Sequence, residues 1–120
     1  MKKLIGTILF TVILLTGCSS VSVKKSEADG KATMYGSEYN GRKTASGEIY
    51  NKDGLTAAIK DVPFGTKIRI ENVANKKSVY VKVNDRGPKQ DGWIVTLSEA
   101  AFNKISNGEK YIDVKIEIVE

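Results

Sequence analysis

Apolar and polar residues alternate strictly from Ser78 to Asn84, and this alternation constrains the fold more than any other feature of the chain. Valine occupies positions 79, 81 and 83, which predicts a β-strand with one buried side and one side facing solvent. The strand runs into Asn84-Asp-Arg-Gly-Pro88, whose residue types favour a turn. The sequence therefore predicts a half-buried strand that stops abruptly at a carboxylate.

The carboxylate of Asp85 has two alternative interpretations. Continued past Val83, the alternation puts Asp85 on the apolar side, where desolvation would raise its pKa. An acid of that kind can donate a proton to a leaving group near neutral pH. Alternatively, the carboxylate only accepts hydrogen bonds from the amides of the turn, which would lower its pKa. The strand and the turn leave both interpretations open.

The first 18 residues predict export. Two lysines precede an apolar run from Leu4 to Leu15, as in a secretory signal, and the run is shorter than the roughly 20 residues that span a bilayer. Leu15-Thr-Gly-Cys18 resembles the lipobox of bacterial lipoproteins, which implies a signal peptide at 1–17 and lipidation of Cys18. An ordinary signal cut nearby, with Cys18 incidental, is the alternative. A lipidated protein would be held at the extracytoplasmic face of a membrane, the outer one where a cell has two.

The composition excludes several kinds of site. The sequence contains no histidine, and Cys18 is its only cysteine. Serine–histidine and cysteine–histidine catalysis, histidine metal sites and intramolecular disulfides are therefore excluded in this chain. The formal net charge of +5 becomes +3 without the two lysines of the signal peptide, and no dense basic stripe indicates a nucleic-acid partner. We expect a monomer without a metal or another cofactor.

The remaining sequence predicts a tether followed by one mainly β domain. Residues 18–29 are polar, small and charged, which is typical of a flexible tether. Residues 30–120 contain about six short strand patterns and one helix, which Ser98 can cap and which runs to about Ile105. A domain of this size without a disulfide has a modest core. A closed β architecture, in which no strand edge is unpaired, is therefore favoured.

Six segments, in order, resemble the rare lipoprotein A family and its double-psi β-barrel domain. They are Gly30–Gly36, Gly41–Tyr50, Leu55–Ala58, Val62–Thr66, Val83–Pro88 and Leu97–Ala101. The resemblance implies a six-stranded double-psi β-barrel with one short helix over residues 30–120. It also implies an endolytic lytic transglycosylase that acts on peptide-poor glycan strands of peptidoglycan.

The resemblance assigns roles to single positions. Asp85 matches the catalytic acid of the family, and Glu48 matches a second acid that is implicated there. The family usually has histidine where this chain has Ile59, and often has aspartate where this chain has Thr96. The alternative to the enzyme is therefore a barrel that binds peptidoglycan, or serves as an envelope scaffold, without cutting the glycan.

Aromatic and cationic residues near these positions are expected to bind the substrate. Tyr35, Tyr39 and Tyr50 lie in the same loop-rich half of the sequence, Arg86 follows Asp85, and Trp93 begins a strand. Exposed aromatic rings can stack on sugar rings. Burial in the core is the alternative for Trp93, and packing of the barrel ends is the alternative for at least one tyrosine.

Overall fold

The computed structural model describes residues 27–88 and 92–119. Within these ranges the elements are strands β1 Glu27–Met34, β2 Thr56–Ala58, β3 Lys67–Asn72, β4 Ser78–Asp85, β5 Trp93–Leu97 and β6 Tyr111–Ile118, the 3₁₀ turn Ser37–Tyr39, and helix α1 Glu99–Ile105. The strands close into a barrel in the order β1-β5-β2-β4-β3-β6. The predicted six-stranded, mainly β barrel with one short helix is confirmed.

Each strand of the barrel has two neighbours, and two of the pairings are parallel. β1 pairs in parallel with β5 and β2 pairs in parallel with β4, whereas the other four pairings are antiparallel. Closure leaves no long row of unpaired backbone groups, which are a liability at the edge of an open sheet. The fold therefore does not depend on a disulfide to hold its ends together.

Strand β1 begins earlier than the sequence indicated. Residues 27–29, interpreted above as the end of a tether, pair with residues 115–117 of β6. Backbone hydrogen bonds to β6 hold this end of β1. Its side chains do not alternate between apolar and polar, and the sequence pattern therefore did not predict this part of the strand. The predicted signal peptide, Cys18 and tether residues 18–26 lie outside the described residues.

The core lies inside the barrel and under the helix. The three alternating valines of β4 are 5%, 2% and 0% exposed, which confirms the buried side that the sequence predicted. Helix α1 adds Ala101, Phe102 and Ile105, which are all buried. No helix within residues 27–88 and 92–119 has the length and apolar character needed to cross a membrane.

Ser98 connects the helix to the loop before β2, and its loss is expected to destabilise the barrel. Its buried hydroxyl donates to the Gly54 carbonyl at 2.6 Å and accepts from the Ala101 N–H at 3.2 Å. We expect Ser98→Ala to lower the free energy of unfolding by about 1–2 kcal/mol, as loss of a helix N-cap does. Urea denaturation checks this, with the exposed Ser78→Ala as a control that should stay within about 0.5 kcal/mol of the wild type. Equal stability of the two variants would contradict the capping role.

Candidate active site

Strand β4 carries a β-bulge immediately before Asp85. Val83 pairs with Ala57 and Asp85 pairs with Ala58, so Asn84 is an extra residue on β4. A bulge bends a strand and redirects its side chains. Here Asn84 is buried, and Asp85 lies partly exposed at the end of the strand. Gly87 follows with a φ of 139°, a conformation that glycine adopts readily, and lets the chain turn away from the carboxylate.

Three donors hold the Asp85 carboxylate. The N–H groups of Ala45 and Arg86 donate to Oδ1, each at 2.9 Å, and the Tyr35 hydroxyl donates to Oδ2 at 2.6 Å. Burial, and then the neighbouring carboxylate, raise the pKa of Tyr35 above its ordinary value, so its hydroxyl stays protonated as a donor. Oδ2 has a second lone pair that can accept a proton or a ligand.

Asp85 lines an open groove of about 500 Å³. The groove is lined by Met34, Tyr35, Gly36, Tyr39, Arg42, Lys43, Ala58, Asp85, Arg86, Gly87, Pro88 and Thr96. Asp85 is the only acid among these residues, whereas Arg42, Lys43 and Arg86 are cations. Asp85 thus bonds turn amides, as one sequence interpretation expected, and also faces space that a ligand can enter.

Arg86 and Arg42 are each held against an aromatic ring. The guanidinium of Arg86 lies 3.9 Å from the centroid of the Phe64 ring and donates to the Ile59 carbonyl at 3.1 Å. The guanidinium of Arg42 lies 5.4 Å from the centroid of the Tyr39 ring. Contacts of this kind restrict long cationic side chains, so less conformational freedom is lost when a ligand binds.

Tyr50 supports Tyr35 from beneath. The two rings are stacked, with centroids 4.2 Å apart and planes at 23°. Tyr50 is 2% exposed, and its hydroxyl accepts from the N–H of Glu99 at the start of α1. Tyr50 therefore has a packing role, the alternative that the sequence left open for at least one tyrosine. Tyr35 lines the groove, and its contact with glycan stays a prediction.

Glu48 anchors the 41–50 segment and does not line the groove. Its Oε2 accepts from Lys82 Nζ at 2.9 Å, and its Oε1 accepts from Asn84 Nδ2 at 3.0 Å. In the same segment the Ser46 N–H donates to the Asn84 carbonyl at 3.2 Å. These contacts hold the loop that presents the Ala45 N–H to Asp85. The geometry thus gives Glu48 a positioning role, and the catalytic role that the family resemblance implied for it stays a prediction.

The ion pair of Glu48 can be tested by titration. The hydrogen bond from Lys82, followed by that from Asn84, lowers the pKa of Glu48 below its ordinary value. We expect Lys82→Gln to raise the pKa of Glu48 towards that ordinary value, which NMR of the side-chain carboxyl carbon measures. Lys77→Gln, at an exposed position immediately before β4, should leave the pKa of Glu48 unchanged. An unchanged pKa in Lys82→Gln would contradict the anchoring pair.

Residues 27–116 match the family described as lytic transglycolase. The chain belongs to this family. The endolytic peptidoglycan transglycosylase RlpA of Pasteurella multocida (strain Pm70) is 42% identical over 93 residues, which are 77% of this chain and 32% of that protein. The probable endolytic peptidoglycan transglycosylase RlpA of Synechocystis sp. is 40% identical over 92 residues, 76% of this chain and 29% of that protein. The chain thus spans about a third of the length of these curated relatives, and the predicted family is confirmed.

A solved structure shows the same fold. The Streptomyces papain inhibitor matches with a TM-score of 0.64 and 22% sequence identity, over 79% of this chain and 96% of that one. At this identity the likeness concerns the fold alone. It agrees with the double-psi β-barrel that the lytic transglycolase family resemblance implied.

The two departures from the family pattern have different surroundings. Ile59, where the family usually has histidine, is 7% exposed and packs in the main core, while its N–H donates to the Asp85 carbonyl at 3.1 Å. Thr96, where the family often has aspartate, is half-buried and lines the Asp85 groove. Among the described residues that line the groove of this lytic transglycolase family member, Asp85 therefore provides the one carboxyl group.

Trp93 lies outside the Asp85 groove. Its ring meets that of Tyr111 edge-on, with centroids 5.1 Å apart and planes at 72°. It lines a neighbouring concavity together with Ile59 and Pro88. The structure therefore brings Asp85, Tyr35 and Arg86 together, but it does not bring Trp93, Tyr50 or Glu48 into the same groove.

The sequence did not identify the cations Arg42 and Lys43 or the Ala45 amide as parts of the site. All three lie in the family-like segment 41–50, where the residues are polar and have no periodicity. The family motifs identified the 41–50 segment as part of the domain. Which of its residues line the groove depends on its hydrogen bonds to Lys82 and Asn84, and the sequence does not show these contacts. Within residues 27–88 and 92–119 no group of three or more cysteine, histidine, aspartate or glutamate side chains is arranged to hold a metal ion.

Proposed function

We propose that this chain is a lipoprotein that cleaves peptidoglycan glycan strands as an endolytic lytic transglycosylase, with Asp85 as both acid and base. Membership of the lytic transglycolase family and the names of the RlpA relatives support the reaction class. The observation that carries the assignment is that Asp85 lines the groove and is the only acid among the described residues that do so. Its position is held by one phenol and two amides.

A single carboxyl group can perform both proton transfers of this reaction. Protonated Asp85 donates to the bridging oxygen, and the bond between that oxygen and the anomeric carbon breaks as an oxocarbenium-like state develops. The sugar's own hydroxyl then forms a new bond to the anomeric carbon and returns its proton to Asp85. The product has an anhydro end, no water is consumed, and Asp85 is restored. Tyr35 keeps donating to Oδ2 and holds the carboxyl in place throughout.

The charge of the groove supports peptide-poor glycan strands as the substrate. A muramic sugar without its stem peptide has a free lactyl carboxylate, whereas one that bears a peptide has an amide at the same position. Among the described lining residues, three are cations, Arg42, Lys43 and Arg86, and one is an acid, Asp85. Opposite charges in a partly desolvated groove attract, so free carboxylates along the strand favour binding there.

The sequence supports attachment of the barrel to a membrane. Lipidation of Cys18 would hold a monomeric barrel at the extracytoplasmic face, next to the peptidoglycan, with residues 19–26 as the remaining connection to β1. Where a cell has two membranes, the outer one is the proposed location. Neither a cofactor nor nucleic acid is part of the proposed function.

The proposed reaction is tested by incubating the purified full chain with peptide-free glycan strands and analysing the products by mass spectrometry. Anhydro-ended fragments from within the strands are the expected result. The replacements at Ile59 and Thr96 favour a second candidate, a barrel that binds glycan without cutting it. Retention of the protein on purified peptidoglycan without anhydro-ended products at high protein concentration would support that candidate and contradict the enzyme.

A further inference from the structure

A second concavity, of about 320 Å³, adjoins the Asp85 groove. Pro88 lines both, so the two concave surfaces meet at that residue. The second one is otherwise lined by Ala28, Ile59, Lys60, Gly92, Trp93 and Ile94. The two concavities are therefore neighbours on the surface of the barrel.

The lining of the second concavity differs in chemistry from that of the groove. Most of its described lining is apolar, from Trp93, Ile59, Ile94 and Pro88, and Lys60 is the one charged residue in that described lining. The edge-on contact with Tyr111 restricts the ring of Trp93, and Lys31 Nζ lies 5.1 Å from the centroid of that Tyr111 ring. A restrained indole beside apolar walls is suited to the C–H face and the N-acetyl methyl group of an amino sugar.

We infer that this concavity is an outer subsite for an N-acetylated amino sugar of the same glycan strand that Asp85 cleaves. The inference rests on the proposed function, because an enzyme that cuts within a strand must hold sugars beyond the one at the reacting bond. The concavity that shares Pro88 with the Asp85 groove gives those sugars a place to bind. Ile59, at the position where the family usually has histidine, here forms part of the wall of this subsite.

Trp93 is the only tryptophan of the chain, so its fluorescence reports on this subsite alone. The test titrates the full chain carrying Asp85→Asn, purified in detergent, with short peptide-free glycan strands. We expect a saturable change in tryptophan emission. We also expect Trp93→Ala, made in the same background, to bind the strands about tenfold more weakly by calorimetry, since loss of an aromatic stack costs about that much.

Matched variants separate the subsite from general effects. Tyr80→Ala removes a 53% exposed aromatic ring from a different surface, beside Leu55 and Lys67, and should bind the strands like the parent chain. Trp93→Phe retains an aromatic face and should keep most of the affinity for the strands. If Trp93→Ala does not fold, the affinity of Trp93→Phe and the tryptophan emission of the parent chain still test the subsite. Strands that bind with unchanged emission, or that do not bind at all, would overturn the subsite.

The outcomes also distinguish this inference from the proposed function. If the wild-type chain yields no anhydro-ended products but its tryptophan emission responds to glycan, the catalytic proposal fails and the subsite stands. If the wild-type chain cleaves glycan but neither emission nor the Trp93 variants respond, the catalytic proposal stands and the subsite fails.

Discussion

Asp85→Asn is expected to slow the formation of anhydro-ended products by about 10²–10⁴-fold, the usual contribution of a positioned acid–base group. The amide has nearly the same shape as the carboxyl group: its oxygen can accept from the Ala45 and Arg86 N–H groups, and its nitrogen can donate to the Tyr35 hydroxyl oxygen. It cannot donate a proton to the bridging oxygen and take one back. The rate is measured by mass spectrometry of fragments released from peptide-free glycan strands.

The control for this variant is an aspartate with no place in the groove. Asp53 has a side chain that is 76% exposed, and Asp53→Asn should cleave glycan at the wild-type rate. Thermal or urea unfolding of both variants establishes that the fold is intact. A folded Asp85→Asn chain that cleaves as fast as Asp53→Asn would remove Asp85 from the mechanism.

Tyr50→Ala is expected to lower the free energy of unfolding by about 3–5 kcal/mol, as truncation of a buried aromatic side chain does. The ring of Tyr50 is 2% exposed and stacked on Tyr35, and its hydroxyl accepts from the N–H of Glu99. The truncation removes the support beneath Tyr35, which donates to Asp85. Urea denaturation measures the loss of stability, and the cleavage assay measures its effect on the groove.

Tyr50→Phe is the matched variant, because it keeps the stacked ring and removes only the acceptor for Glu99. We expect it to lower the free energy of unfolding by about 1 kcal/mol, the usual net value of one hydrogen bond. Its cleavage rate should stay close to that of the wild type, since Tyr35 remains supported. Similar losses of stability in the Phe and Ala variants would show that the stack contributes little.

The strands of the barrel were predictable wherever alternation is strong, as at the valines of β4. The bulge at Asn84 was not, because an extra residue is recognised only once the partner strand and its register are known. The early start of β1 was hidden for a related reason. The first residues of β1 are held by backbone pairing with β6, and this pairing does not require alternating apolar side chains that the sequence would show.

The candidate site was predictable at Asp85 and only in part around it. Tyr35 and Tyr50 are alike in the sequence, and their stacking decides which ring reaches the groove and which is buried. The side chains of Arg42 and Lys43 reach the groove because the 41–50 segment docks on Asn84 and Lys82 through hydrogen bonds. Contacts between residues 34 and 36 positions apart cannot be predicted from the pattern of neighbouring residues in the sequence.

The pairing order of the barrel determines when it can form. Both neighbours of β1, namely β5 and β6, come from residues 93–118, near the end of the sequence. A chain that emerges from a ribosome or a translocation pore with its N-terminus first therefore waits for residues 93–118 before β1 gains a partner. Contacts between such distant segments slow folding.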